Sequence, residues 1–126
     1  MYKVDIDTGR SLISFKLDGL VRGDEMKKFY EELKAAASTL AGREIKIKAD
    51  LRTFRPTSPE AAETVREMQS FGMKVGVTRV AELVESEMVT LQLNRLAHES
   101  GSFRILRRFT DEDAAMRWLL SSEQSD

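Results

Sequence analysis

Apolar and polar residues alternate at period two in five short stretches of this chain. They recur at helical spacing in four longer ones. Tyr2, Val4 and Ile6 alternate with Lys3, Asp5 and Asp7, and Ile13, Phe15 and Leu17 alternate with Ser14 and Lys16. Between them lies Asp7-Thr8-Gly9-Arg10, with a glycine available for a positive φ, so the start of the chain predicts a β-hairpin. Asp24 is placed to cap a first helix, whose apolar positions are Met26, Phe29, Tyr30, Leu33, Ala37 and Leu40, with Gly42 as its stop. Ile45, Ile47 and Ala49 alternate with Lys46, Lys48 and Asp50 and predict a half-buried strand.

The second half continues the alternation of strand and helix. Thr57-Ser58-Pro59-Glu60 combines a hydroxyl cap, a first-turn proline and an acid facing the helix dipole. It opens a helix from about Pro59 to Phe71, with Ala61, Val65 and Met68 as its stripe and Gly72 as its stop. A strand over Lys74 to Val80 follows, with Val75 and Val77 inward. Ser86 caps a helix that reaches Glu99 and ends at Gly101. The last strand places Phe103, Ile105 and Arg107 on one side and Arg104, Leu106 and Arg108 on the other. Thr110-x-x-Asp113 has the form of a capping box and opens a final helix bearing Ala115, Trp118 and Leu119.

The order ββαβαβαβα predicts an α/β fold: a hairpin, then βα units and a mostly parallel five-stranded sheet. Strands covered on both faces read as continuous apolar runs, whereas these alternate. The helices are therefore expected mainly on one face. The other face is expected to be open and to carry Lys3, Lys16, Lys46, Lys48, Lys74 and Arg104. The chain has 126 residues, 41% hydrophobic and 33% charged, which suits one domain over 1–120 with a disordered tail at 121–126.

Charge and residue usage narrow the chemistry. The net charge is −1, so nothing draws the chain as a whole to nucleic acid or acidic lipid. The lysine-lined face lacks the interleaved aromatics that base stacking needs, and no nucleic-acid partner is expected. There is no cysteine, which excludes disulfides, thiolate zinc sites and cysteine nucleophiles. His98 is the single histidine and has no second ligand at metal spacing. Neither a signal-peptide core nor an apolar run of membrane-spanning length is present. The expectation is a cytoplasmic protein with no cofactor and no catalytic machinery.

Three stretches are candidates for function. Thr57 and Ser58 stand where a strand end meets a helix N-terminus, a place where free N–H groups accept an anion or a phosphate. The plainer account of Ser58 is an N-cap. Arg52, Arg55, Arg79, Arg107 and Arg108 fall near strand ends and are expected to cluster, either as a phosphate or carboxylate clamp or paired with Asp50, Glu82, Glu85, Asp111 and Glu112. Finally, Met88, Val89, Leu91, Leu93, Leu96 and Ala97 spread over more than one face of their helix. Such a helix is either deeply packed or keeps a second apolar edge, with Met88, Leu91, Leu93 and Leu96, for a homodimer or an apolar ligand.

The closing run Arg107-Arg108-Phe109-Thr110-Asp111-Glu112-Asp113-Ala114-Ala115-Met116-Arg117-Trp118-Leu119, with Asp50-Leu51 at the end of a central strand, resembles the SpoIIAA-like proteins of the STAS superfamily. The resemblance implies a βα superhelix with sequential strand order. It also implies a module that binds partner proteins and is switched by phosphorylation of a serine just after the Asp-Leu strand. Ser58 or Thr57 is the nearest hydroxyl, although the phosphorylated members carry Asp-Ser-Ser-Gly where this chain has Pro56-Thr57-Ser58-Pro59. A more distant branch of the fold carries lipids in an apolar pocket. The expected function is thus a non-enzymatic regulatory module that binds a protein partner and dimerises. The alternative is a small carrier or sensor of an apolar or lipid-like ligand.

Overall fold

The structure, a computed structural model, describes residues 1–121. Strands β1 (Tyr2–Asp7) and β2 (Leu12–Leu17) form the hairpin. Then follow α1 (Gly23–Ser38), β3 (Ile45–Asp50), α2 (Pro59–Val75), β4 (Val77–Leu83), α3 (Glu87–Ser100), β5 (Leu106–Phe109) and α4 (Glu112–Leu120). The sheet order is β1-β2-β3-β4-β5, with β1 antiparallel to β2 and every other pair parallel. The sequential order and the α/β class are those expected.

Helices α1, α2 and α3 cover one face, and their core contains Ile13, Leu17, Phe29, Ile47, Val65 and Leu93. Each connects two parallel neighbouring strands, and the right-handed rule for such crossovers puts all three on the same side. Helix α4 follows the last strand and closes no crossover, so that rule does not bind it. It packs under the opposite face, where Leu12, Ala81, Leu83, Ala115 and Leu119 form a second, smaller core.

Several element ends differ from the sequence expectation. Helix α2 runs through Gly72 to Val75, because the residue that adopts the left-handed conformation is Gly76, at φ 108°. Its N–H bonds back to the Gly72 carbonyl. Strand β4 therefore starts at Val77, and Lys74 lies on α2 rather than on the open sheet face. Residues Ser102–Ile105 form a 3-10 turn after Gly101, which shortens the last strand and removes Arg104 from that face. Lys3, Lys16, Lys46 and Lys48 do share the face turned away from α1–α3, as the register requires. Arg22, not Asp24, is the N-cap of α1, and Asp24 sits in its first turn. Helix α1 ends at Ser38, four residues before Gly42. Asp111, not Thr110, caps α4, accepting from the N–H groups of Asp113 and Ala114. In the hairpin the left-handed residue is Ser11 rather than Gly9.

One irregularity decides what faces what. Ile45 pairs with Val77 and Lys46 with Arg79, so Thr78 is an extra residue in β4. Beyond this bulge the alternation shifts by one. Val80 and Glu82 then point under the three helices, and Arg79, Ala81 and Leu83 point toward α4.

Candidate functional site

The loop between β3 and α2 is held at both ends. Arg52 donates to both carboxylate oxygens of Asp50, at 3.0 and 2.9 Å, and reaches Glu112 at 3.4 Å. Glu112 also pairs with Lys48 at 3.4 Å. These hydrogen bonds from Arg52 hold the Asp50 carboxyl below its ordinary pKa. The Arg52 guanidinium is thus neutralised within the chain. Next, Phe54 is buried and bridges to Gly19, which adopts φ 68° and takes a 3.1 Å hydrogen bond from the Arg55 N–H. The Arg55 side chain is exposed.

Thr57 is clamped to α3. Its N–H donates to Gln92 Oε1 and its carbonyl accepts from Gln92 Nε2, each at 2.9 Å. Its hydroxyl donates to the Val21 carbonyl at 3.4 Å. Ser58 Oγ accepts from the Ala61 N–H at 3.2 Å, with Pro59 at the first helical position. Ser58 therefore works as an N-cap, and Ser58→Ala is expected to cost about 1 kcal/mol, with Ser58→Asp restoring most of it. Urea unfolding of the two variants checks this.

The five arginines do not converge. Arg52 faces Asp50 and Glu112, and Arg55 faces solvent. Arg79 lies near the start of β4 and donates to the carbonyls of Trp118 and Ser121, at 2.5 and 3.1 Å. Arg79 and Arg107 both lie over the Trp118 ring, with their guanidinium carbons 5.4 and 5.2 Å from its centre. Residues 122–126 of the expected tail lie outside the described residues. Arg108 points the other way, under the three helices. Strand alternation separates Arg107 from Arg108, and the bulge in β4 sets Arg79 with the former.

Arg108 meets Glu82 there. Its Nε donates to Glu82 Oε1 at 3.0 Å, and its Nη1 donates to Asn94 Oδ1 of α3. Glu82 is only 5% exposed. Burial pushes its carboxyl above the ordinary value, while the charge and hydrogen bond of Arg108 oppose that rise. Glu82 also borders an apolar cavity of about 90 Å³ between the sheet and α2, lined among others by Phe29, Ile47, Val65, Met68 and Leu93. Nothing in the sequence pattern marks Glu82 as internal, because the bulge is invisible there. Gln92 likewise reads as an ordinary polar helix position.

Helix α3 divides the four apolar candidates in two. Leu93 and Leu96 are core, together with Val89 and Ala97. Met88 and Leu91 are each 69% exposed. Helix α1 packs on α2 and α2 on α3, so α3 is the outer helix of its layer. Leu20, also exposed, belongs to the segment that Thr57 ties to α3. At the other end of the helix, His98 stacks on exposed Phe103, with ring centres 4.7 Å apart. Among the described residues no group of acidic or histidine side chains is arranged to hold a metal. None of their helices is long and apolar enough to cross a membrane.

Comparison with known proteins agrees with this architecture. The crystal structure of an uncharacterised protein of the DUF3478 family from Shewanella loihica PV-4, described as having a SpoIIAA-like fold, matches with a TM-score of 0.71. The match covers 94% of this chain and 93% of that one at 19% sequence identity, a likeness of fold. No curated protein matches this chain. The family model described as SpoIIAA-like matches residues 12–120, from the second hairpin strand to the end of α4. This chain belongs to the SpoIIAA-like family.

Proposed function

We propose that this chain is a non-enzymatic regulatory module that docks a protein through the outer face of α3, a second copy of itself being the first such partner. The observation that carries the reading is the exposure of Met88 and Leu91, side by side on a helix whose opposite face is core. Large apolar side chains grouped on an outer helix serve binding better than solvation. The loop from Arg52 to Ser58 adjoins this face through the Thr57–Gln92 clamp. A phosphate on Ser58 would add charge at the α2 N-terminus, one residue from that clamp.

The carrier reading has less support. A cavity of about 90 Å³ is smaller than the roughly 150 Å³ that admits a benzene ring. A lipid-like chain needs several times that volume, and Glu82 and Arg108 would have to open with it.

Leu91→Glu tests the docking face. Leu91 is exposed, so the variant should keep its stability within about 0.5 kcal/mol. It should lose at least tenfold in affinity for whatever protein the parent chain captures. A variant that captures the same protein equally well places the docking surface elsewhere.

A further inference from the structure

We infer that two copies of this chain pair through α3 in an antiparallel, two-fold symmetric arrangement centred on Leu91, with Glu87 of each copy set against Arg95 of the other. The inference rests on the reading of α3 as a docking face and names its occupant. Glu87, Leu91 and Arg95 are spaced four residues apart, so they fall on one face of the helix, and all three are exposed. With a rise of about 1.5 Å per residue, Glu87 and Arg95 lie roughly 6 Å to either side of Leu91 along the axis. Among the described residues, neither makes an ion pair within its own chain.

A helix that is acidic before its apolar centre and basic after it complements an inverted copy of itself. A two-fold axis beside Leu91 inverts the direction of the second helix. Leu91 then meets Leu91, with Met88 of each copy beside it. Each Glu87 comes level with an Arg95, which gives two ion pairs flanking an apolar centre. A parallel pairing would instead set Glu87 against Glu87 and Arg95 against Arg95. The charges therefore select the antiparallel arrangement as well as the partner. Its apolar centre is small, so the interface belongs to the weak, transient class below about 1,200 Å² in total.

Charge reversal with complementation tests this on the full chain. Sedimentation velocity is run over a range of concentrations on the wild type, Glu87→Lys, Arg95→Glu and an equimolar mixture of the two variants. Circular dichroism confirms that each variant is folded. The wild type should show concentration-dependent dimerisation. Each single variant should lose it by at least tenfold in dissociation constant, because both flanking pairs become repulsive. The mixture should regain it. There the lysine introduced in one variant faces the glutamate introduced in the other, and the unchanged Arg95 of the first faces the unchanged Glu87 of the second. A wild type that stays monomeric throughout overturns the inference. So does a dimer indifferent to both single changes, or a mixture that fails to associate. If the wild type is monomeric while Leu91→Glu still abolishes capture of another protein, self-pairing falls and the α3 docking face stands. If Leu91→Glu changes neither, both fall.

Discussion

Arg108→Ala is expected to lower the stability of this protein by about 3 kcal/mol at neutral pH, the low end of the cost of breaking a buried ion pair. The low end applies because the Arg108 side chain is partly exposed, whereas Glu82 is not. The cost comes from stranding the Glu82 carboxylate among apolar side chains, with neither counter-charge nor hydrogen-bond donor from Arg108. Its pH dependence is diagnostic. Burial already raises the folded-state pKa of Glu82 above the unfolded value, and losing Arg108 removes what opposes the rise. A raised carboxyl contributes stability that is fully present below its unfolded pKa and is lost as pH rises through its folded pKa. The penalty of Arg108→Ala should therefore be largest near neutrality and shrink toward about pH 4. Urea unfolding of variant and parent at both pH values checks this. A penalty of equal size at both would show that Glu82 is not the group responsible. Replacing both partners, as Glu82→Leu with Arg108→Leu, should recover much of the loss, since an apolar pair leaves no orphaned charge.

Trp118→Ala is expected to cost about 3 kcal/mol and to loosen α4 from the sheet. The Trp118 ring packs against Phe109 of β5, with ring centres 5.8 Å apart, and Arg79 and Arg107 lie over it. Its carbonyl also accepts from Arg79 at the end of the helix. The indole Nε1–H is buried and donates no hydrogen bond among the described residues. Trp118→Phe therefore removes no hydrogen bond and should cost less than about 1.5 kcal/mol. Thermal unfolding of the two variants separates anchoring by the ring from any role of the N–H. Equal and small losses in both would mean that Ala115 and Leu119 alone hold α4.

The fold was legible where a local signal had one reading. Strict alternation in Tyr2–Ile6 and Ile45–Asp50 gave the hairpin and the central strand, and Ser58 and Ser86 marked two helix starts by their caps. Errors came where two residues competed for one role. Gly72 and Gly76 lie four apart at the end of α2, and which of them takes the left-handed conformation depends on where β4 must pair. Asp111 took the capping role from Thr110 in the same way.

The candidate site was less legible, for reasons of pairing rather than composition. The arginines were visible, but the direction of each is set by register. One extra residue at Thr78 exchanges the two faces for all that follows in β4, turning Glu82 under the three helices and Arg79 toward α4. Glu82 thus looks like a surface acid in the sequence and is internal in the fold. The breadth of the apolar face on α3 was visible from Met88 to Ala97. Its division into Leu93 and Leu96 inside and Met88 and Leu91 outside needed the packing against α2 and the sheet. The Thr57–Gln92 clamp joins residues 35 apart and has no local signature.

The claim that two copies of this chain pair through α3 meets its most direct test in amide NMR spectra recorded from dilute to concentrated protein. The account predicts that shifts and line broadening concentrate on Glu87–His98, while the amides of Arg52–Phe54 stay in place. Spectra that do not change with concentration, or changes centred on that loop instead of on α3, would contradict it.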